Sequence, residues 1–137
     1  MLIFIPGNVP SSKNSRRNFG HVSLPSELTE KWRENTACFW NKFRSHFIKE
    51  CQGKQFPLIV GIHFVRKSKH KWDFINPCQT IQDEMMHKEW IDDDNTSIMY
   101  PVPLKIDNLL WSYDSKNPGV YIRVLNNISE ASLSFSK

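Results

Sequence analysis

The sequence predicts one small domain that combines two helices with several short strands. Three observations predict it. The chain has 137 residues, which suits a single domain. Nine Phe, five Trp and three Tyr supply enough apolar surface for a sizeable core. Two stretches carry apolar residues at helical spacing, and the runs between and after them are apolar and rich in β-branched residues. With 39% hydrophobic and 23% charged residues, the composition argues against wholesale disorder.

Leu2 to Ile5 is a short apolar run ended by Pro6-Gly7, as in a first strand breaking into a loop. From Gly7 to Phe19 the chain is rich in turn formers and bases and reads as a connector. Ser26 is a candidate cap for a long helix starting at Glu27 and ending near Gly53. Leu28, Trp32, Phe39, Trp40, Phe43 and Phe47 follow at helical spacing, and an aromatic stripe of this kind is core. Pro57 to Val65 is continuously apolar, the pattern of a buried central strand, and makes His63 a satisfied core histidine. Asn76 reads as the cap of a second helix with Pro77 at its first position, and Cys78, Ile81 and Met85 form its apolar stripe through about Lys88. Trp90 to Asn95 is an acidic turn. Ile98 to Pro103 and Leu104 to Tyr113 are strand-like runs broken by prolines, and Val120 to Leu125 is the last strand. Asp114 to Gly119, all turn formers around one lysine, reads as a hairpin loop. Residues 1–126 are thus the expected domain, with 127–137 a Ser-rich tail expected to fray.

Charge is distributed unevenly. Residues 1–71 carry thirteen Lys and Arg against four acids, whereas residues 72–137 carry five against ten. A basic half attracts a polyanion and an acidic half can hold a divalent cation, a combination compatible with cutting nucleic acid. Cys38, Cys51 and Cys78 are odd in number and lack a Cys-x-x-Cys pair, which disfavours a disulfide framework or zinc ribbon. No apolar run approaches a membrane span, and the opening run is too short for a signal-peptide core, so a soluble intracellular protein is expected. A P-loop, a His-Glu-x-x-His segment and a Gly-x-Ser-x-Gly elbow are all absent, removing the chemistry of P-loop NTPases, zinc proteases and serine hydrolases.

Two clusters carry candidate chemistry. Arg66-Lys67-Ser68-Lys69-His70-Lys71 places four cations and a histidine after the central strand, as either a solvated charge run or a phosphate-binding edge. Asp73, Asp83, Asp93 and Asp94 flank or occupy the second helix and the turn after it. A helix followed by a tight return can bring such carboxylates together, and Mg²⁺ favours hard oxygen ligands of this kind. Gln79 and Asp83, four apart, share a helix face. Each acid also has an ordinary reading: Asp73 at a helix start, where the macrodipole favours an acid, and Asp93-Asp94 in a solvated turn.

The run from Arg66 to Pro77, followed by Thr80-Ile81-Gln82-Asp83 and Trp90-Ile91-Asp92-Asp93-Asp94-Asn95, resembles the RusA-type Holliday junction resolvases. Pro6-Gly7-Asn8-Val9-Pro10-Ser11-Ser12-Lys13-Asn14 resembles that family's first loop, and the resemblance covers roughly Ile3 to Leu125. It implies a small α+β domain, a mixed β-sheet packed with two main helices. It also implies a homodimer that binds four-way DNA junctions, without membrane contact, in the cytoplasm of a bacterial or phage-infected cell. The implied activity is that of a crossover junction endodeoxyribonuclease in recombination and repair, dependent on Mg²⁺ with Mn²⁺ as the alternative ion. Asp73 matches the first acid of the family's Asp-x-Asp-Asn motif, Asp83 its helix acid and Asp94 the second acid of its acidic pair. These three are the implied catalytic residues, and together with Asp93 the implied metal ligands. Lys13, Asn14, Arg16, Arg17, Arg66, Lys67, Lys69, His70, Lys71 and Gln79 are the implied DNA contacts.

Two positions depart from the pattern. Ile75 stands where the motif has its second acid, and Gln79 where it has a lysine. Three readings follow: a nuclease working with its remaining acids and Lys69 or Lys71, a junction-binding protein whose nuclease centre is weakened, or a structural or host-interaction protein whose charges merely solvate it.

Overall fold

The computed structural model describes residues 1–11, 16–19, 22–25 and 27–135, with only the backbone path for 16–19 and 22–25. The main sheet runs β1 (Ile3–Pro6), β8 (Gly119–Leu125), β4 (Leu58–Arg66), β5 (Met99–Pro103), and β7 (Ser112–Tyr113) also pairs with β4. Strand β4 is antiparallel to β8 but parallel to β5 and β7, so the sheet is mixed. Two helices, α1 (Glu27–Cys51) and α2 (Ile75–His87), complete a small α+β domain.

Strand β4 is central because both of its faces are apolar. Val60, Ile62 and Phe64 are buried, and so are the intervening Gly61, His63 and Val65. Parallel strands cannot be joined by a tight turn, and α2 supplies the crossover from β4 to β5. Residues Thr29, Trp32, Thr36, Trp40 and Phe47 form the buried stripe of α1 at three- and four-residue spacing. Leu28 is off this stripe and 62% exposed, because its neighbour Thr29 takes the inward position. Trp90, just after α2, packs on α1 with ring centroids 4.8 Å from Trp40 and 4.9 Å from Phe47. Its indole N–H donates to the Trp40 carbonyl at 3.0 Å. A partly buried polar tie joins the helices too, with Arg33 Nε 3.2 Å from Oε1 of the buried Glu84. Burial pushes the Glu84 carboxyl up.

His63 is the core histidine expected from its strand. Its Nδ1 lies 2.7 Å from the Leu104 carbonyl and its Nε2 2.6 Å from Ser112 Oγ. A carbonyl only accepts, so Nδ1 carries the proton and Nε2 accepts from the serine. Burial holds its pKa below the usual value of 6.5. A histidine kept neutral in the fold contributes stability in full above about pH 6.5, and that contribution is lost as pH falls through the lowered folded value. Urea midpoints measured from pH 7.5 to pH 5 should therefore fall, and His63→Gln should flatten that slope whatever its own stability.

Four expectations are corrected. The stretch read as one connector contains β2 (Arg16–Phe19), which pairs antiparallel with β3 (Val22–Pro25). Cross-strand pairing overrides a local composition of bases and turn formers there. Asn76 lies inside α2, and the acceptor for its backbone N–H is Asp73 Oδ1 at 2.9 Å. Pro77 tolerates its place because first-turn N–H groups have no helical partner. Residues 114–118 make no hairpin, since β7 and β8 lie on opposite sides of β4 and the segment crosses the strand's end. Asp114 N–H donates to the Arg66 carbonyl at 2.9 Å, and Pro118 accepts from Gly7 N–H at 2.8 Å. The tail is held at least to Phe135: a 3-10 turn spans Ile128–Glu130, and β9 (Ser132–Leu133) pairs parallel with β6 (Lys105–Ile106).

Ser26, the expected cap of α1, lies outside the described residues. Cys38, Cys51 and Cys78 are free thiols, and no described helix is long and apolar enough to cross a membrane.

Candidate functional site

The polar end of β4 is built by long-range ties to the first loop. Arg66 Nη1 donates to the Val9 carbonyl at 3.3 Å, the Lys67 N–H donates to Asn8 Oδ1 at 3.0 Å, and Thr80 Oγ1 on α2 donates to the Pro10 carbonyl at 2.8 Å. Val9 and Pro10 are buried, so residues 8–10 serve as a buttress between β4 and α2. Lys67, Lys69, His70 and Lys71 are exposed beyond it. The Arg66 guanidinium lies over the Trp72 ring at 4.9 Å and Lys69 Nζ over Tyr113 at 5.0 Å. Desolvation by burial holds the Arg66 pKa below its ordinary value. Lys13 and Asn14 lie outside the described residues, as do the side chains of Arg16 and Arg17.

A polar ladder runs along α2. Asp73 accepts from Asn76 through both carboxylate oxygens, at 2.9 Å from the backbone N–H and 2.7 Å from Nδ2. Gln79 is three residues further and Asp83 four beyond that, so Asn76, Gln79 and Asp83 share one helix face. Gln79 Nε2 donates to Asp83 Oδ1 at 2.8 Å and to Asp94 Oδ2 at 3.1 Å. One amide thus joins the helix acid to an acid fifteen residues away in the chain. Asp94 reaches it because Trp90 and Ile91, both buried, anchor the start of the turn.

Asp93 has a different task. Its Oδ1 accepts from the Asp94 N–H at 2.7 Å and its Oδ2 from Asn95 Nδ2 at 2.8 Å. The Asn95 side chain, with the Asp94 backbone, holds its carboxyl below the usual range. Asp92 faces elsewhere, lining a small cavity with Cys51 and Phe56. Ile75, at the first position of α2, is 76% exposed.

The structure therefore brings Asp83, Asp94 and Gln79 together, while Asp73 bonds to Asn76. Asn76 and Asp83 are seven residues apart, about 10 Å along the helix axis. Among the described residues, no three His, Cys, Asp or Glu side chains converge as a metal-holding group. Sequence reasoning missed the buttress of Asn8 and the cavity beside Asp73. That cavity, about 390 Å³, is lined by Ser11, Arg66, Lys71, Trp72, Asp73 and Asn76. The only local signal for it was Trp72 directly after a basic run. No protein-family model matches the sequence, and no curated protein matches it.

Proposed function

We propose that the chain is a Mg²⁺-dependent, structure-selective endonuclease that acts on branched DNA such as four-way junctions, working as a homodimer. The observation that carries this reading is the meeting of Asp83 and Asp94 at Gln79 Nε2, at 2.8 and 3.1 Å, on a helix that begins just after the basic edge of β4. The donor set fits the ion. Mg²⁺ takes one or two protein carboxylates and fills its other positions with water and substrate phosphate oxygens. Asp83 and Asp94 are the residues that would hold such an ion, which would supply charge stabilisation for phosphodiester cleavage. Gln79 orients both carboxylates, Asp93 fixes the turn that carries Asp94, and Asp73 secures the start of α2 while lying beside the cationic cavity. Arg66, Lys67, Lys69, His70 and Lys71 position phosphates without reading sequence.

An end-labelled four-way junction and a matched linear duplex, incubated in EDTA and then in Mg²⁺, test the reading. Preferential junction binding in EDTA and paired nicks in Mg²⁺ are expected, with Mn²⁺ able to substitute. Four cations neutralising phosphates weaken binding by about a hundredfold between 50 and 200 mM salt. Affinity that hardly moves over that range would remove the basic edge from the interface. A second reading, junction binding without cleavage, is favoured by the exposed Ile75 and by the uncharged amide between the acids. Binding with no nicks in either metal would select it.

A further inference from the structure

Trp72 is the shared wall of two neighbouring cavities of opposite character. The first, about 390 Å³, is net cationic, with Arg66 and Lys71 beside Ser11 against a single acid, Asp73, whose carboxylate is engaged by Asn76. Two donors of these lining residues, Ser11 Oγ and Arg66 Nε, are buried and have no hydrogen-bond partner among the described residues. Unpaired donors beside two cationic side chains favour an anion as the occupant of this cavity. The second cavity is a groove of about 220 Å³ lined only by apolar and aromatic side chains, Trp72, Phe74, Pro103, Leu110 and Trp111. Trp72 and Trp111 meet edge to face there, with centroids 5.5 Å apart, and Leu110 is 54% exposed.

An anion pocket and an aromatic groove that share one indole in their walls match the two halves of a nucleotide. We infer that this saddle binds one unpaired nucleotide of a DNA strand, its phosphate against Ser11, Arg66 and Lys71 and its base in the groove against Trp111 and Leu110. Charge complementarity selects this occupant: a purely apolar partner leaves the cations of the first cavity unmatched, and a lone phosphate or a water leaves the groove open. Base-paired DNA presents its phosphates but keeps its bases stacked inside, so the groove favours strands with unstacked bases. The inference rests on the nucleic-acid part of the proposed function and is independent of its metal centre.

Fluorescence anisotropy in EDTA at low salt, with labelled dT20 and an abasic strand of the same length, tests it. The wild-type protein should bind dT20 at least about tenfold more tightly than the abasic strand, the effect of one stacked base. Trp111→Ala should remove most of that difference and leave abasic binding unchanged. Trp111→Phe should retain part of it, and Ser11→Ala should weaken both strands equally. Equal wild-type affinity for the two strands overturns the inference, and this comparison needs no variant to fold. Equal affinity together with junction binding or nicking leaves the proposed function standing. No binding to any of these DNAs at low salt overturns both.

Discussion

Replacing Asp94 by Asn should lower metal-dependent nicking of a four-way junction by at least about a hundredfold, while junction affinity in EDTA changes little. Loss of an outer partner of a metal ligand already costs about 10- to 100-fold in metal affinity or activity, and loss of a charged ligand costs more. Asn has nearly the same shape, and its carbonyl oxygen can still accept from Gln79 Nε2, now 3.1 Å from Asp94 Oδ2. The backbone bond from the Asp94 N–H to Asp93 Oδ1 also survives, so the turn keeps its form. What disappears is one negative charge. Quantified nicking across a Mg²⁺ titration, beside EDTA binding of the same protein, reads the two effects separately. Unchanged nicking by the Asn variant would remove Asp94 from the proposed centre.

Gly119→Ala should destabilise the fold by about 3 kcal/mol, at the upper end of the usual cost of overpacking. Gly119 starts β8, paired with Pro6 of β1 on one side and Val65 of β4 on the other. A Cβ there would stand 2.5 Å from the Ile5 carbonyl oxygen and 2.5 Å from Phe4 Cζ. The phenyl ring can rotate away, but the carbonyl belongs to a strand paired through its whole length. Relief therefore requires β1 to shift against β8. In a domain of this size the melting temperature should drop by roughly 10 °C. A drop of only a degree or two would mean that β1 adjusts freely.

The elements with strong periodicity were readable from sequence. The aromatic stripe of α1, the two-sided apolar run of β4, and Cys78, Ile81 and Met85 on α2 each announce their burial locally. Pairing was not readable, because it depends on residues far away in the chain. The β2–β3 hairpin is hidden by its bases and turn formers, and the side of β4 chosen by β7 is decided by residues 112–113 lying parallel to 65–66. Asp73 and Asn76 are both good capping residues ahead of Pro77, so sequence favoured Asn76 through the proline rule while the carboxylate of Asp73 takes the task. At the candidate site, i,i+4 spacing was enough to place Gln79 beside Asp83. The arrival of Asp94 depends on Trp90 docking onto α1, a tertiary contact. The saddle around Trp72 joins residues from the first loop, the end of β4 and the segment before β7, and beyond Trp72 following a basic run no local pattern announces such a meeting.

The position of β8 between β1 and β4 sets an order of events during synthesis. Among the described residues, strand β1 has no partner in the main sheet other than β8, whose last residue is Leu125. Until Gly119–Leu125 has been made, β1 and one edge of β4 lack the strand that pairs with them. Helix α1 and the β4–α2–β5 unit can form earlier from nearer contacts, but closure of the sheet waits for β8, separated from β1 by more than a hundred residues. Until then the nascent chain presents two unpaired strand edges, a state prone to wrong pairing with another chain.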